Sequence, residues 1–366
     1  MSAPRRKRPT GTLPRPFAVL FALALTGSTG VAVSLLPARA TLQPVDPGPS
    51  RTAPTSSTQP VPSHPSTYVA FVDTAADPDF DLPADSRRTG VRWYALGHLV
   101  TGSDGCAPRW AGRLDFGRDP VANAIGHLRA RGGDAGLVFG GPDGQEAAAT
   151  CTGPGALAAA YRRVIGAFDA DYVDFDLRVP DTTPDTTSGT TSDTTSDTTS
   201  GTTSGTTSNT AAAAHRATVV RRARAIMAMQ QERPLRVSFT LPLQRYGLAA
   251  RDLDTLRLTR QAGAEIAVVN LLADMSAHGA AGGMHGVSPA LHAARTQLAR
   301  VHGLTDPDHA WRRLALTCVL ENAGDLGESD ARELAEFADR YGLAWLSTRG
   351  AVPEPEVARV LRRASA

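Results

Sequence analysis

The stretch ADYVDFDLRVPD, Ala170 to Asp181, decides how the whole chain is read. A strand turns successive side chains to opposite faces, so Asp174, Asp176 and Arg178 share one face while Val173, Phe175 and Leu177 share the other. Charges on a strand this apolar mark a site rather than a solvated edge. Seven other segments read as strands: Tyr68 to Thr74, Val91 to Val100, Ala135 to Gly141, Leu235 to Leu241, Glu265 to Leu272, Arg313 to Leu320 and Leu343 to Thr348. Helical patterns lie between them, at Asp119 to Arg131, Gly155 to Phe168, Ala213 to Gln230, Leu253 to Ala262, Ser288 to Val301, Ser329 to Tyr341 and Glu354 to Arg363. Each carries apolar residues at three and four spacing. Near-continuous apolar strands followed by helices predict a parallel sheet covered on its outside, and eight of them predict an α/β fold of the (β/α)8 TIM barrel type. The link between the first strand and its helix is the least defined. A doubly wound open sheet is the competing architecture, but no GxGxxG follows the first strand. In such barrels the site forms at the carboxyl ends of the strands, the end of the fourth strand that Asp174, Asp176 and Arg178 occupy.

Composition bounds the chemistry. The chain has 366 residues, 42% of them hydrophobic, enough for one large domain with tails. A net charge of +2, with part of the basic excess in the RRKR of Arg5 to Arg8, leaves no nucleic-acid footprint. Lys7 is the only lysine, which excludes Schiff-base and P-loop lysine chemistry from the folded region. Nine histidines and three cysteines show neither HxxxH nor CxxC spacing, so no metal site is expected, and nothing calls for a cofactor.

Residues 1–40 read as a signal peptide or membrane anchor. A basic start precedes the apolar Phe17 to Ala40, with small residues at Ala38 and Ala40 where a signal peptidase would cut. The segment approaches a bilayer span in length, so cleavage and retention as an anchor both stay open. Either way the expected location is secreted or attached at the cell surface. Residues 41–66 are a Pro/Ser/Thr-rich linker, and 67–366 form the barrel. Residues 181–212 are a low-complexity Thr/Ser insertion within it, expected to be disordered because it buries almost nothing. Cys106 and Cys151 fall in loop-like sequence and are the candidates for a disulfide, whereas Cys318, in RLALTCVL, reads as a buried free thiol.

The order and wording of these segments resemble glycoside hydrolase family 18, the chitinase-like barrels, in an actinobacterial-style secreted form. The family hallmark on the fourth strand is Asp-x-x-Asp-x-Asp-x-Glu. Asp171, Asp174 and Asp176 match it, and Arg178 stands where the glutamate belongs. Further matches are GCAPRWAG (Gly105 to Gly112), LRARGGDAGLVFGGPDG (Leu128 to Gly144) with Cys151 after it, VSFTLPLQRYGL (Val237 to Leu248), AEIAVVNLL (Ala264 to Leu272) and FADRYGLAWLSTR (Phe337 to Arg349). They run collinearly from about Tyr68 to Gly350.

The resemblance implies a polysaccharide partner, chitin-like or a cell-wall glycan, and a mechanism. In that mechanism the motif glutamate protonates the glycosidic oxygen and the substrate's N-acetyl group is the nucleophile, oriented by the middle aspartates. Such an acid contributes about 10²- to 10⁴-fold in rate. Arginine cannot replace it, because its guanidinium stays charged throughout. The resemblance also implies an Asp-Tyr pair after the sixth strand, where this chain has Met275 and Ser276 on ungapped reading and Asp274, without the tyrosine, after a one-residue slip. It assigns Trp345 to the floor of the sugar site, with packing as the alternative, and places Asp171 among substrate-binding residues; Tyr246, after TLPL, reads either as a substrate-binding residue of the cleft or as an ordinary exposed tyrosine. Trp110 reads as loop packing and Glu146 as solvated at a helix start. Glu321, at the end of the seventh strand, is the candidate substitute acid. Arg178 is expected to pair with Asp176 or Asp174 and keep both ionised. Three readings follow: a barrel that has lost hydrolysis and binds N-acetylglucosamine-type glycan, an active glycosidase with a relocated acid, and a non-catalytic surface protein.

Overall fold

Alternation along the strands sorts the side chains into an outer and an inner set, and the computed structural model shows both. It describes residues 68–102, 105–142, 144–153, 155–178, 204–276 and 283–363. The leader, the linker and residues 181–203 of the insertion lie outside the described residues. Ten strands form one sheet: β1 Val69–Asp73, β2 Trp93–Thr101, β3 Pro108–Trp110, β4 Leu114–Asp115, β5 Asp134–Gly140, β6 Tyr172–Asp176, β7 Arg236–Pro242, β8 Val268–Asp274, β9 Leu314–Leu320 and β10 Leu346–Gly350. β1, β2 and β5 to β10 pair in parallel in chain order. The circle is completed by a single parallel bridge from Tyr68 to Leu346 rather than by a full ladder. β3 and β4 are an antiparallel hairpin added to β2. This is the expected eight-stranded barrel, less tightly closed at its seam.

The outer face is a continuous apolar surface. Phe139, Phe175 and Phe239 stand side by side in parallel register on β5, β6 and β7. Phe139 and Phe175 stack at 5.5 Å, Phe239 meets Phe175 edge-on at 5.9 Å, and Tyr161 covers the first two. Tyr161 comes from α5 (Ala156–Phe168), one of the covering helices, after α1 (Leu82–Thr89), α2 (Pro120–Asn123), α3 (Ile125–Arg129) and α4 (Ala147–Thr150). The remaining cover is α6 (Ser204–Glu232), α7 (Ala250–Gln261), α8 (Met284–His302), α9 (Glu328–Tyr341) and α10 (Pro355–Arg363). Full burial of each such aromatic or aliphatic side chain contributes roughly 1.5–3 kcal/mol, so this shell carries most of the hydrophobic stabilisation.

Helix α1 occupies the vague first link. Asp81 caps it by accepting from the Ala84 backbone N–H at 2.9 Å, and Gly90 ends it at φ 77°. Helix α6 departs from the sequence reading: it begins at Ser204, within the Thr/Ser repeat, rather than at Ala213. The last strand departs too, and its shift matters for the site. Gly342 ends α9 in the left-handed region at φ 68°, and Leu343 donates back to the Ala338 carbonyl. Three residues after that glycine are spent returning to the barrel. β10 therefore starts at Leu346, not Leu343.

Among the described residues no helix is long and apolar enough to cross a membrane. Cys106 and Cys151 are joined as a disulfide, and Cys318 is buried and free. The bond ties the loop after β2 to the loop after β5 across a sequence separation of 45. Closing a loop of that length removes on the order of 4 kcal/mol of unfolded-chain entropy in the loop-closure picture. Replacing both cysteines by serine is therefore expected to lower unfolding free energy by about 2–4 kcal/mol, read from urea midpoints of the oxidised protein and the variant.

Candidate functional site

The inward side chains form three tiers, and their chemistry changes from one end of the barrel to the other. At the amino end lie Val69, Trp93, Tyr172, Val268, Ala315 and Trp345, a buried apolar plug. Trp345 is 6% exposed and meets Tyr172 edge-on at 5.8 Å. Above it the middle tier is polar and fully bonded. Thr317 donates to the Asn270 amide oxygen at 2.9 Å, the Asn270 amide donates to Thr240 at 3.0 Å, and Thr240 donates to Asp174 Oδ2 at 2.6 Å. Ser238 donates to the other Asp174 oxygen. These four side chains thereby partner Asp174 and one another, as a low-dielectric interior favours.

The upper tier is ionic, and Asp176 is its centre. Arg178 donates to it from Nε at 3.0 Å to Oδ1 and from Nη2 at 2.7 Å to Oδ2. Arg349, from the end of β10, donates to Oδ2 from Nη1 at 2.6 Å. Its Nη2 lies 3.8 Å from Asp174 Oδ2, and its guanidinium sits 4.1 Å over the Phe71 ring. His98 Nε2 stands 3.5 Å from Asp176 Oδ2, long for a hydrogen bond, and its Nδ1 stands 3.8 Å from Asp73. Asp176 and Arg349 are both buried. Gly140 on β5 permits this crowding: at φ 83°, a Cβ there would meet the Asp176 carbonyl oxygen at 2.3 Å.

The two aspartates titrate apart. Burial pushes the Asp174 carboxyl up to about 6, outweighing Arg349, Ser238 and Thr240, which favour its ionised form. Burial acts on Asp176 as well. There the His98, Arg349 and Arg178 contacts win and hold its carboxyl well below the ordinary range. Asp176 is thus a fixed anion with its lone pairs occupied.

Several sequence expectations fall elsewhere. Trp345 lies at the far end of the barrel from the mouth, four residues and about 13 Å of strand below Arg349. Between them the interior leaves a void of about 20 Å³, room for roughly one water and not for a sugar. The mouth position on the last strand belongs to Arg349. Asp171 is at the amino end of β6, exposed and paired with Arg233 at 2.5 Å, away from the mouth. Tyr246 is 63% exposed in the loop after β7. Glu321 is exposed just past β9, its backbone N–H donating to Asp325. Met275 is fully buried and Ser276 bonds to Asp274. Trp110 is buried packing, as expected, with its indole N–H on the Phe116 carbonyl.

Glu146 overturns its reading as a solvated residue. It does start a helix, accepting from the Ala148 N–H at 3.0 Å, but it is buried and also accepts from the Tyr161 hydroxyl and from Arg222, at 2.9 Å. This triad joins the loop after β5 to helices α5 and α6. Arg222 was invisible as a partner because 76 residues separate the pair. Asp73, His98 and Arg349 also escaped the sequence reading, although the inward parity of positions 345, 347 and 349 carried a signal for the last.

Around Asp176 and Arg178 a lateral cavity of about 510 Å³ opens beneath α6 and α7, and Glu146, His215, Arg222, Arg251 and Asp252 also line it. A second opening of about 440 Å³ is lined by Asp73, His98 and Arg113. Among the described residues no cluster of three metal-ligating side chains exists.

Two consequences are measurable. A carboxyl whose folded pKa exceeds its unfolded value near 3.8 favours folding in acid, and that contribution is lost as pH rises through about 6. Asp174 therefore costs on the order of 3 kcal/mol at neutral pH. Thermal unfolding between pH 4 and 7 should show Asp174→Asn flattening this decline, whereas Asp176 has the opposite sign and contributes only once pH exceeds its lowered value. Glu146→Ala strands Arg222 as a buried charge, and an unfolding free energy lower by about 3–5 kcal/mol is expected in denaturant titrations.

Neither a protein-family profile nor a curated protein sequence matches the chain. Its fold is shared with solved structures. The catalytic domain of a hyperthermophilic chitinase from Pyrococcus furiosus superposes with a TM-score of 0.64 at 19% identity, covering 82% of this chain and 95% of that one. A GH18 chitinase from Pseudoalteromonas aurantia gives 0.53 at 12% identity, over 82% and 100%. Catalytic domain 2 of the group II chitinase of Ostrinia furnacalis gives 0.52 at 9%, over 81% and 96%.

Proposed function

We propose that this chain is an exported, chitinase-like barrel that has lost glycosidic hydrolysis and binds an N-acetylglucosamine-type polysaccharide. The observation that carries the reading is the double arginine clamp on Asp176, from Arg178 at 2.7 Å and Arg349 at 2.6 Å. In the resembling family the residue two past this aspartate is the proton donor, and here it is a guanidinium that cannot release a proton at working pH. Asp176, which would orient the acetamido group, is spent as the counter-ion of both arginines. Arg349 also fills the last strand's mouth position, where a sugar floor would be needed.

Export rests on the leader-like residues 1–40 and accords with the Cys106–Cys151 disulfide, which persists in oxidising compartments. Glycan binding rests on the shared fold. Catalytic-site mutants of active domain 2 of the Pyrococcus furiosus chitinase were crystallised with chito-oligosaccharides.

A fluorogenic chitotrioside and insoluble glycans test both halves. The unmodified chain should release fluorophore at least about 10²-fold more slowly than an enzyme with a motif acid, and should co-sediment with chitin or peptidoglycan. Arg178→Glu alone should stay silent, because Arg349 still holds Asp176. Turnover by the unmodified chain at ordinary chitinase rates would overturn the loss of hydrolysis.

A further inference from the structure

The carboxylates nearest Arg178 are already engaged by donors of the protein itself. Asp176 accepts from both arginines. Asp174 accepts from Ser238 and Thr240. Glu146, in the wall of the lateral cavity, accepts from Tyr161, the Ala148 N–H and Arg222. A saccharide is recognised largely through hydroxyl and amide groups, which need open acceptors and donors, so a saturated cluster offers it little.

One pair in the same cavity differs. Asp252, in the first turn of α7, is half-buried, yet no hydrogen bond or ion pair joins its carboxylate to any described residue. Burial lifts it to about 6, opposed by Arg251. Arg251 has no carboxylate within 4.0 Å among the described residues, and its contact is a 3.4 Å approach of Nε to His215 Nδ1. Burial and the neighbouring Arg251 and Arg222 lower His215, which leaves its ring neutral. Thr255 Oγ1 lies 3.2 Å from its other nitrogen. The wall therefore presents an open acceptor beside an open donor, and a part-buried carboxylate without a partner is costly unless something supplies one.

We infer that the lateral cavity beneath α6 and α7 is the saccharide site, with Asp252 accepting from adjacent hydroxyls of an N-acetylhexosamine unit and Arg251 donating to its acetamido or hydroxyl oxygens. This rests on the glycan-binding reading above and moves recognition from the Asp176 cluster to Arg251 and Asp252 on the wall of the same cavity. The cavity's volume, about 510 Å³, suits a small ligand rather than a long polymer threaded through the barrel. Among the described residues no Phe, Tyr or Trp lines it, so recognition there is by hydrogen bonds and not by ring stacking. One carboxylate and one guanidinium in the open state suit a neutral sugar better than a strongly charged one.

Isothermal titration of the full chain with N,N′,N″-triacetylchitotriose, and separately with soluble peptidoglycan glycan fragments, tests the assignment and distinguishes the two sources of the same sugar unit. Arg251→Ala and Asp252→Ala are each expected to weaken binding at least tenfold, the first with unchanged melting temperature and the second with a melting temperature that does not fall. Arg251 is exposed, so that variant keeps the test valid if the Asp252 variant folds poorly. Unaltered affinity in a folded Arg251→Ala variant overturns the cavity assignment while leaving glycan binding in place. An unmodified chain that binds neither probe overturns the assignment together with the function on which it rests.

Discussion

The ion cluster around Asp176 is the constraint on which the upper half of the barrel depends. A carboxylate taken out of water loses several kcal/mol of solvation, and that loss is offset only if charged donors occupy its lone pairs in good geometry. Two arginines supply them, one from just past the same strand and one from the strand that closes the circle. The cluster therefore acts as a clasp at the mouth, close to the seam where β1 and β10 share only one bridge. It also decides the chemistry, because a carboxylate committed to two guanidinium groups is unavailable to a substrate.

Beneath the clasp, the barrel interior passes from ionic to hydrogen-bonded to apolar. The chain from Thr317 through Asn270 and Thr240 to Asp174 links its members by hydrogen bonds. The plug of Trp93, Tyr172 and Trp345 seals the amino end. Such an interior is a packed core with charges on top, not a pore, and a ligand must approach from the loops. Those loops are braced by the Glu146–Arg222–Tyr161 triad, which joins the loop after β5 to α5 and α6, and by the disulfide.

The strands of the barrel were legible because their signal is local. Period-two alternation around Asp174 and Asp176 and near-continuous apolar runs elsewhere depend only on neighbours along the chain. The first helix was harder, since α1 has a short, polar face and buries only Leu82 and Pro83. The start of α6 within a Thr/Ser repeat ran against composition, which favours a solvated chain. For β10 the error was three residues. With inward positions alternating, the strand's true bounds place Arg349 at the mouth and Trp345 at the base.

What the sequence by itself determined was the eight-strand alternation, the two inward aspartates, and the absence of an acid two residues beyond the second, with Cys106 and Cys151 as candidates for a bond. These follow from residue type and spacing. Only the tertiary structure decided that Arg349 joins Arg178 on Asp176, that Trp345 is core, that Glu146 is buried against Arg222, and that Arg251 and Asp252 face the cavity beside Arg178. The reason is physical: each of those facts is a contact between segments dozens to hundreds of residues apart, and the energy of a buried charge depends on what surrounds it in space rather than on what precedes it in the chain.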